Sequence, residues 1–129
     1  MRIALITPAP THSRKGNRVT ALRWARMLRE LGHRVDIRTE YRDEACDCLL
    51  ALHARRSHPA IKRFHQICPD RPLILALTGT DLYGDIHTDP DAQESLTLAD
   101  RFVLLQPSGL SELPKSLREK ARVIYQSFN

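Results

Sequence analysis

Six short apolar runs punctuate this chain: RIALIT at 2–7, VDIRT at 35–39, CLLALH at 48–53, LILALT at 73–78, FVLLQ at 102–106 and VIYQ at 123–126. Most are continuous rather than alternating. A strand with apolar side chains on both sides has to be covered on both sides, which is the pattern of a parallel sheet layered between helices.

The intervening segments fit that layering. In residues 17–32, Val19, Leu22, Ala25, Leu28 and Leu31 recur at spacings of three, and Ala21 and Trp24 widen the stripe into a helical face. Asn17 is placed to cap this helix, and Gly32 to end it in the left-handed conformation. A second helix is predicted from near Ser57, with Pro59 in its first turn, Ile61, Phe64 and Ile67 on its apolar face, and Pro69 beyond its end. Leu96, Leu98 and Ala99 fit a third. Residues 108–118 hold a further short helical piece that Pro114 interrupts.

Strand and helix alternate throughout, and 129 residues with 42% hydrophobic content furnish one core. The predicted fold is therefore α/β, a single Rossmann-like domain over residues 1–129 built on a doubly wound parallel sheet of about six strands. Such sheets bind ligands beyond the carboxyl ends of their strands, near the switch in strand order. The loops after Thr7, Leu52, Leu77 and Leu105 are the places to look.

Charge is concentrated in the first of these. Residues 1–38 carry nine Lys or Arg against two acids, whereas residues 39–129 carry eleven against thirteen, so the net charge of +5 is local. A local cationic patch suits an anionic ligand. The loop PAPTHSRKGNRVT feeds the first helix, where backbone amides and the helix dipole favour an anion. Gly16 lets a ligand approach the backbone. Arg14, Lys15 and Arg18 would supply charge beside Asn17; the alternative is a solvated basic loop. The pattern is neither GxxxxGK nor GxGxxG, which gives no support to standard nucleotide or dinucleotide sites. Arg23, Arg26 and Arg29 read as a solvent-facing stripe whose stems cover apolar surface.

LHARRS sets His53, Arg55 and Arg56 between a buried strand and a helix. Paired guanidinium forks suit phosphate or carboxylate oxygens, and a histidine here could act as a general base. Equally, the histidine could bond a carbonyl and the arginines could pair with Asp81 or Asp85. In TGTDLYGD, Thr78, Gly79 and Thr80 let backbone and hydroxyls approach a ligand. Asp81 could orient a sugar hydroxyl, position a histidine or cap the turn. His53 and Asp81 are the candidate catalytic residues. DIHTDPD lacks the glycine and terminal glutamate of a calcium loop and reads as an exposed loop leading to a capped helix.

Other classes find less support. Cys46, Cys48 and Cys68 are an odd number, and a CxC pair near His53 has no second ligand pair, so buried, reduced thiols are expected and no metal site is assigned. Seven Phe, Tyr and Trp residues and no recognisable motif argue against nucleic-acid binding. No run approaches the roughly 20 apolar residues that span a bilayer, and the chain opens directly on MRIALIT, so the expectation is a soluble, cytoplasmic protein.

MRIALITPAP, the helix RVTALRWARMLRELGHRV, ALTGTDLY after the fourth run and ADRFVLLQ in the fifth resemble, over essentially the whole chain, the amino-terminal domain of glycosyltransferases with the GT-B fold. More narrowly, PAPxxSRKGNRVTALRWARxLRELGHRV together with ALHARRS and ALTGTDLY is similar to the selenosugar synthases of selenoneine biosynthesis. The resemblance implies that the selenium of selenophosphate attacks the anomeric carbon of a UDP-sugar and releases UDP. It also implies that this domain presents the acceptor while a carboxy-terminal domain holds the nucleotide sugar. Selenophosphate and UDP-sugar are then substrates, with no cofactor. Arg14, Lys15, Arg18, Arg55 and Arg56 become candidate phosphate contacts, with Gly16 and Gly79 giving access.

Related glycosyltransferases often read HGxD where this chain has Thr78, Gly79, Thr80 and Asp81. A selenophosphate nucleophile is already anionic and needs less help from a base, which leaves His53 as a positioning group. A two-domain enzyme needs roughly 300 residues at about 150 per domain. The 129 residues omit the donor half, so the chain alone is expected to be inactive. The neighbouring expectations are the acceptor half of a retaining glycosyltransferase with a hydroxyl acceptor, and a non-catalytic Rossmann-like module for an anionic metabolite.

Overall fold

A computed structural model describes residues 1–7, 16–77, 84–104 and 107–123, with the backbone alone at residues 16–18 and 107–108. The elements are β1 (Arg2–Ile6), α1 (Gly16–Glu30), β2 (Arg34–Arg38), β3 (Cys48–Leu52), α2 (His58–Ile67), β4 (Leu73–Leu77), α3 (Ile86–Thr88), α4 (Pro90–Leu98), β5 (Arg101–Leu104) and β6 (Ala121–Val123). Two 3₁₀ helices, Pro107–Glu112 and Lys115–Lys120, lie either side of Pro114 between the last two strands. All strand pairs are parallel, in the order β2-β1-β3-β4-β5-β6. The protein is a Rossmann-like, doubly wound α/β domain.

Alternation along the strands divides the core between two faces. Ile3, Leu5, Val35, Leu50, Leu52 and Ala76 pack with Ala21, Trp24 and Ala25 of α1. Ala4, Ile6, Leu49, Ala51, Leu75, Phe102 and Leu104 pack with α2, α4 and the β2–β3 connection. That connection contains no helix. It is fastened instead by Tyr41, whose ring meets Phe64 edge-on at 5.5 Å, and by Asp43, which takes two 2.8 Å bonds from Arg63. Beside α1, an apolar groove of about 290 Å³ runs between Trp24, Met27 and Leu28 on the helix and Leu50, Ile74 and Val103 on the sheet.

The expected helix stripe is displaced. Val19, Leu22 and Leu31 are exposed, and the buried face is Ala21, Trp24 and Ala25 with half-buried Leu28. Positions three apart drift about 60° per step on a helix of 3.6 residues per turn, so a run of threes cannot stay on one face. Ile67 is exposed beyond Ile61 and Phe64 for the same reason. The helix begins at Gly16, which puts the expected cap Asn17 inside the first turn, because first-turn amides make no internal bonds that pin the boundary.

Gly32, at φ +95°, ends α1 as expected. Its N–H bonds Arg29 O and that of His33 bonds Leu28 O, the two bonds of a Schellman motif. The last strand takes in Ala121 and Arg122 ahead of the expected run and includes Val123; residues 124–126 lie outside the described residues. DIHTDPD is less loop-like than expected: Ile86 is buried in the one-turn helix α3, and the Asp89 side chain caps α4 by accepting from Ala92 N–H at 2.9 Å. No helix among the described residues is long and apolar enough to cross a membrane.

Candidate functional site

The strand order reverses between β1 and β3. The chain steps outward from β1 to β2, then crosses back over β1 to β3, so the carboxyl ends of β1 and β3 form the switch point of the sheet, the place where such sheets bind ligands. Ile6 pairs with Ala51, which sets Thr7 level with Leu52 and His53 one residue beyond.

His53 ends β3 by taking φ +78°. A left-handed residue with a side chain costs on the order of 1 kcal/mol, and the surrounding bonds hold it there. Its N–H extends the ladder to Ala76 O at 3.1 Å, and its carbonyl accepts from Ser57 N–H at 3.1 Å. Nδ1 accepts from the backbone N–H of Arg56 at 3.1 Å. Ser57 Oγ donates to Leu52 O, and Ser95 Oγ of α4 donates to Ala54 O at 2.7 Å. Ala54 is fully buried beneath the turn while Arg55 and Arg56 stand exposed at its tip.

This geometry gives the side chains different duties. Because Nδ1 of His53 accepts a hydrogen bond, a neutral imidazole carries its proton on Nε2, 3.7 Å from Asp85 Oδ2. In that tautomer the ring is a hydrogen-bond donor. The same Asp85 oxygen accepts from Arg55 Nε at 3.0 Å. Arg56 is exposed and joins no ion pair among the described residues, so its fork is the available cation of the pair.

On the β1 side, Thr7 is fully buried and its Oγ1 has no hydrogen-bond partner among the described residues. Strand alternation puts Thr7 on the face that α1 covers. An orphaned buried hydroxyl costs about 1–3 kcal/mol, so one at a switch point suits a polar ligand. Thr7 closes an otherwise apolar run, which was its only signal in the sequence.

Of the expected site residues, the structure brings His53, Arg55 and Arg56 together and adds Asp85. Arg14, Lys15, Thr78, Gly79, Thr80 and Asp81 lie outside the described residues. Gly16, Asn17 and Arg18 form the first turn of α1, placed by backbone alone. Of the arginine stripe, Arg26 faces solvent and pairs with Glu30 at 3.4 Å, while Arg29 reaches back to Val35 O at 2.7 Å.

Between the helices, His58 Nε2 meets Glu94 Oε1 at 2.8 Å and ties α2 to α4; this bond holds the Glu94 carboxyl below the usual carboxylate range. Cys46 and Cys48 belong to cores on opposite faces of the sheet, so their thiols do not converge on one ion. Burial pushes the Cys48 thiol up to about 11, which keeps it protonated and inert.

The fold and this edge define a Rossmann-like domain with a cationic, hydrogen-bonded turn at its switch point. No protein-family model matches the chain, and no curated protein matches it.

Proposed function

We propose that this chain is the acceptor-side, amino-terminal domain of a glycosyltransferase that forms a selenosugar from selenophosphate and a UDP-sugar. The observation that carries the anion half of this reading is Arg56, an exposed guanidinium on a fastened turn at the switch point. The identity of the anion rests on the sequence resemblance described above.

In the reaction a selenium lone pair attacks the anomeric carbon. The carbon–selenium bond forms, the carbon–oxygen bond to UDP breaks, and UDP leaves with the electron pair; water then cleaves the selenium–phosphorus bond, giving the selenosugar and inorganic phosphate. The work of this domain is to hold the nucleophile. Arg56 and Arg55 take oxygens of the phosphoryl group, and Nε2–H of His53 donates a further hydrogen bond. No base is required, because selenophosphate arrives ionised. By the sequence resemblance, Arg14, Lys15, Arg18 and Asp81 are further candidate contacts. A carboxy-terminal domain supplies the nucleotide sugar.

Calorimetric titration of the chain with selenophosphate, and separately with UDP-glucose, tests this reading. Selenophosphate should bind, Arg56→Ala should weaken it about tenfold or more, and UDP-glucose should bind far less tightly. Absence of selenophosphate binding, or an affinity that Arg56→Ala leaves unchanged, would sink the proposal.

A further inference from the structure

Asp85 has no task in its own element. It stands at the N-cap position of α3, yet its side chain makes no capping bond, whereas Asp89, four residues on, caps α4 through Ala92. The carboxylate turns instead to the loop after β3. One oxygen, Oδ2, lies 3.0 Å from Arg55 Nε and 3.7 Å from His53 Nε2. A single anionic oxygen between a guanidinium and an imidazole N–H is the arrangement that a phosphoryl oxygen would make with the same two groups.

We infer that Asp85 is an internal competitor for the anion site: its carboxylate takes the position between Arg55 and His53 that a ligand oxygen would take, and a bound anion displaces it. The inference rests on the anion-site reading of the previous subsection. Its physical basis is charge. Arg55, Arg56 and Asp85 sum to +1 with His53 neutral, so the carboxylate both occupies one fork and repels an incoming phosphate. It is three-quarters buried as a side chain, at 25% exposure, and solvent therefore screens it incompletely. Because Arg55 is engaged and Arg56 joins no ion pair among the described residues, a ligand meets Arg56 first and gains Arg55 only by exchange.

The competing explanation is that Asp85 holds Arg55 in a useful pose. The two differ in sign. Titration of the intact chain with inorganic phosphate at low ionic strength should show Asp85→Asn binding roughly five- to tenfold tighter than wild type, the effect of removing one partly screened charge near the ligand. Asp85→Glu, which keeps the charge, should show no gain. Circular dichroism and the melting temperature of each variant verify the fold.

Tighter binding by Asp85→Asn alone supports the inference, including the case in which wild type binds too weakly to measure. Wild-type binding that Arg56→Ala weakens but Asp85→Asn leaves equal or weaker overturns it and leaves the anion site standing. Failure of phosphate to bind wild type and Asp85→Asn alike removes the anion site and the inference with it.

Discussion

The hydroxyl of Ser95 donates a 2.7 Å hydrogen bond to the carbonyl oxygen of Ala54, and both residues are fully buried. The turn that presents Arg55 and Arg56 is thus fastened to a helix 41 residues further along the chain. Ser95→Ala removes this bond, and a hydrogen bond of this kind contributes about 0.5–1.5 kcal/mol net. Urea unfolding should show a loss in this range, with weaker phosphate binding. A variant with wild-type stability would show that the bond holds nothing.

On the proposed reading His53 combines a backbone duty with contact to the anion, and substitution separates them. Asparagine tolerates positive φ, and its side-chain oxygen can accept the Arg56 N–H that Nδ1 accepts here. His53→Asn should therefore stay within about 1 kcal/mol of wild type while weakening phosphate binding. His53→Val, β-branched at φ +78°, should cost about 2–3 kcal/mol. Equal stability of the two variants would show that the turn does not depend on this conformation.

Gly32 is required for its φ of +95°, since a Cβ there would meet nothing within 4 Å. Gly32→Ala should cost about 1 kcal/mol through backbone strain alone, a drop of roughly 4 °C in melting temperature for a domain of this size. Gly84→Ala, equally uncrowded and without positive φ, should change little. Similar melting temperatures for the two variants would contradict the backbone account.

Acid should destabilise the fold through three carboxylates. The backbone N–H of Arg2 donates to Asp47 at 2.8 Å, Arg63 bonds Asp43, and His58 bonds Glu94, and each carboxyl is held below its ordinary value of 3.8 or 4.5. A depressed pKa means that the folded state takes up these protons less readily than the unfolded chain. The stabilisation is present above the ordinary values and lost as pH falls through the folded ones. Melting temperatures should fall steeply below about pH 4, and Asp47→Asn should flatten part of that fall. An unchanged acid limb in Asp47→Asn would show that the Arg2 bond contributes nothing.

The layered α/β fold was legible because continuous apolar runs such as LILAL admit few other arrangements. Elements with a local signature were legible too: Gly32 at the end of α1, Pro59 at the start of α2 and Pro114 between the 3₁₀ helices. The buried face of α1 was misplaced because a three-residue spacing mimics helical periodicity while drifting around the axis. In the site, Arg55 and Arg56 looked equivalent. Nothing local distinguishes two adjacent arginines; the difference comes from Asp85, 30 residues away from Arg55.

By itself, then, the sequence determined the classes of element, the parallel sheet and the loops where charge gathers, because these follow from side-chain hydrophobicity and backbone preference over a few neighbouring residues. Tertiary structure alone decided that the strand order reverses between β1 and β3, that Ser95 buttresses Ala54, and that Asp85 engages Arg55. Each of these is a contact between segments distant in the chain. Their geometry is set by how helices pack on the sheet, and short-range pattern carries no record of it.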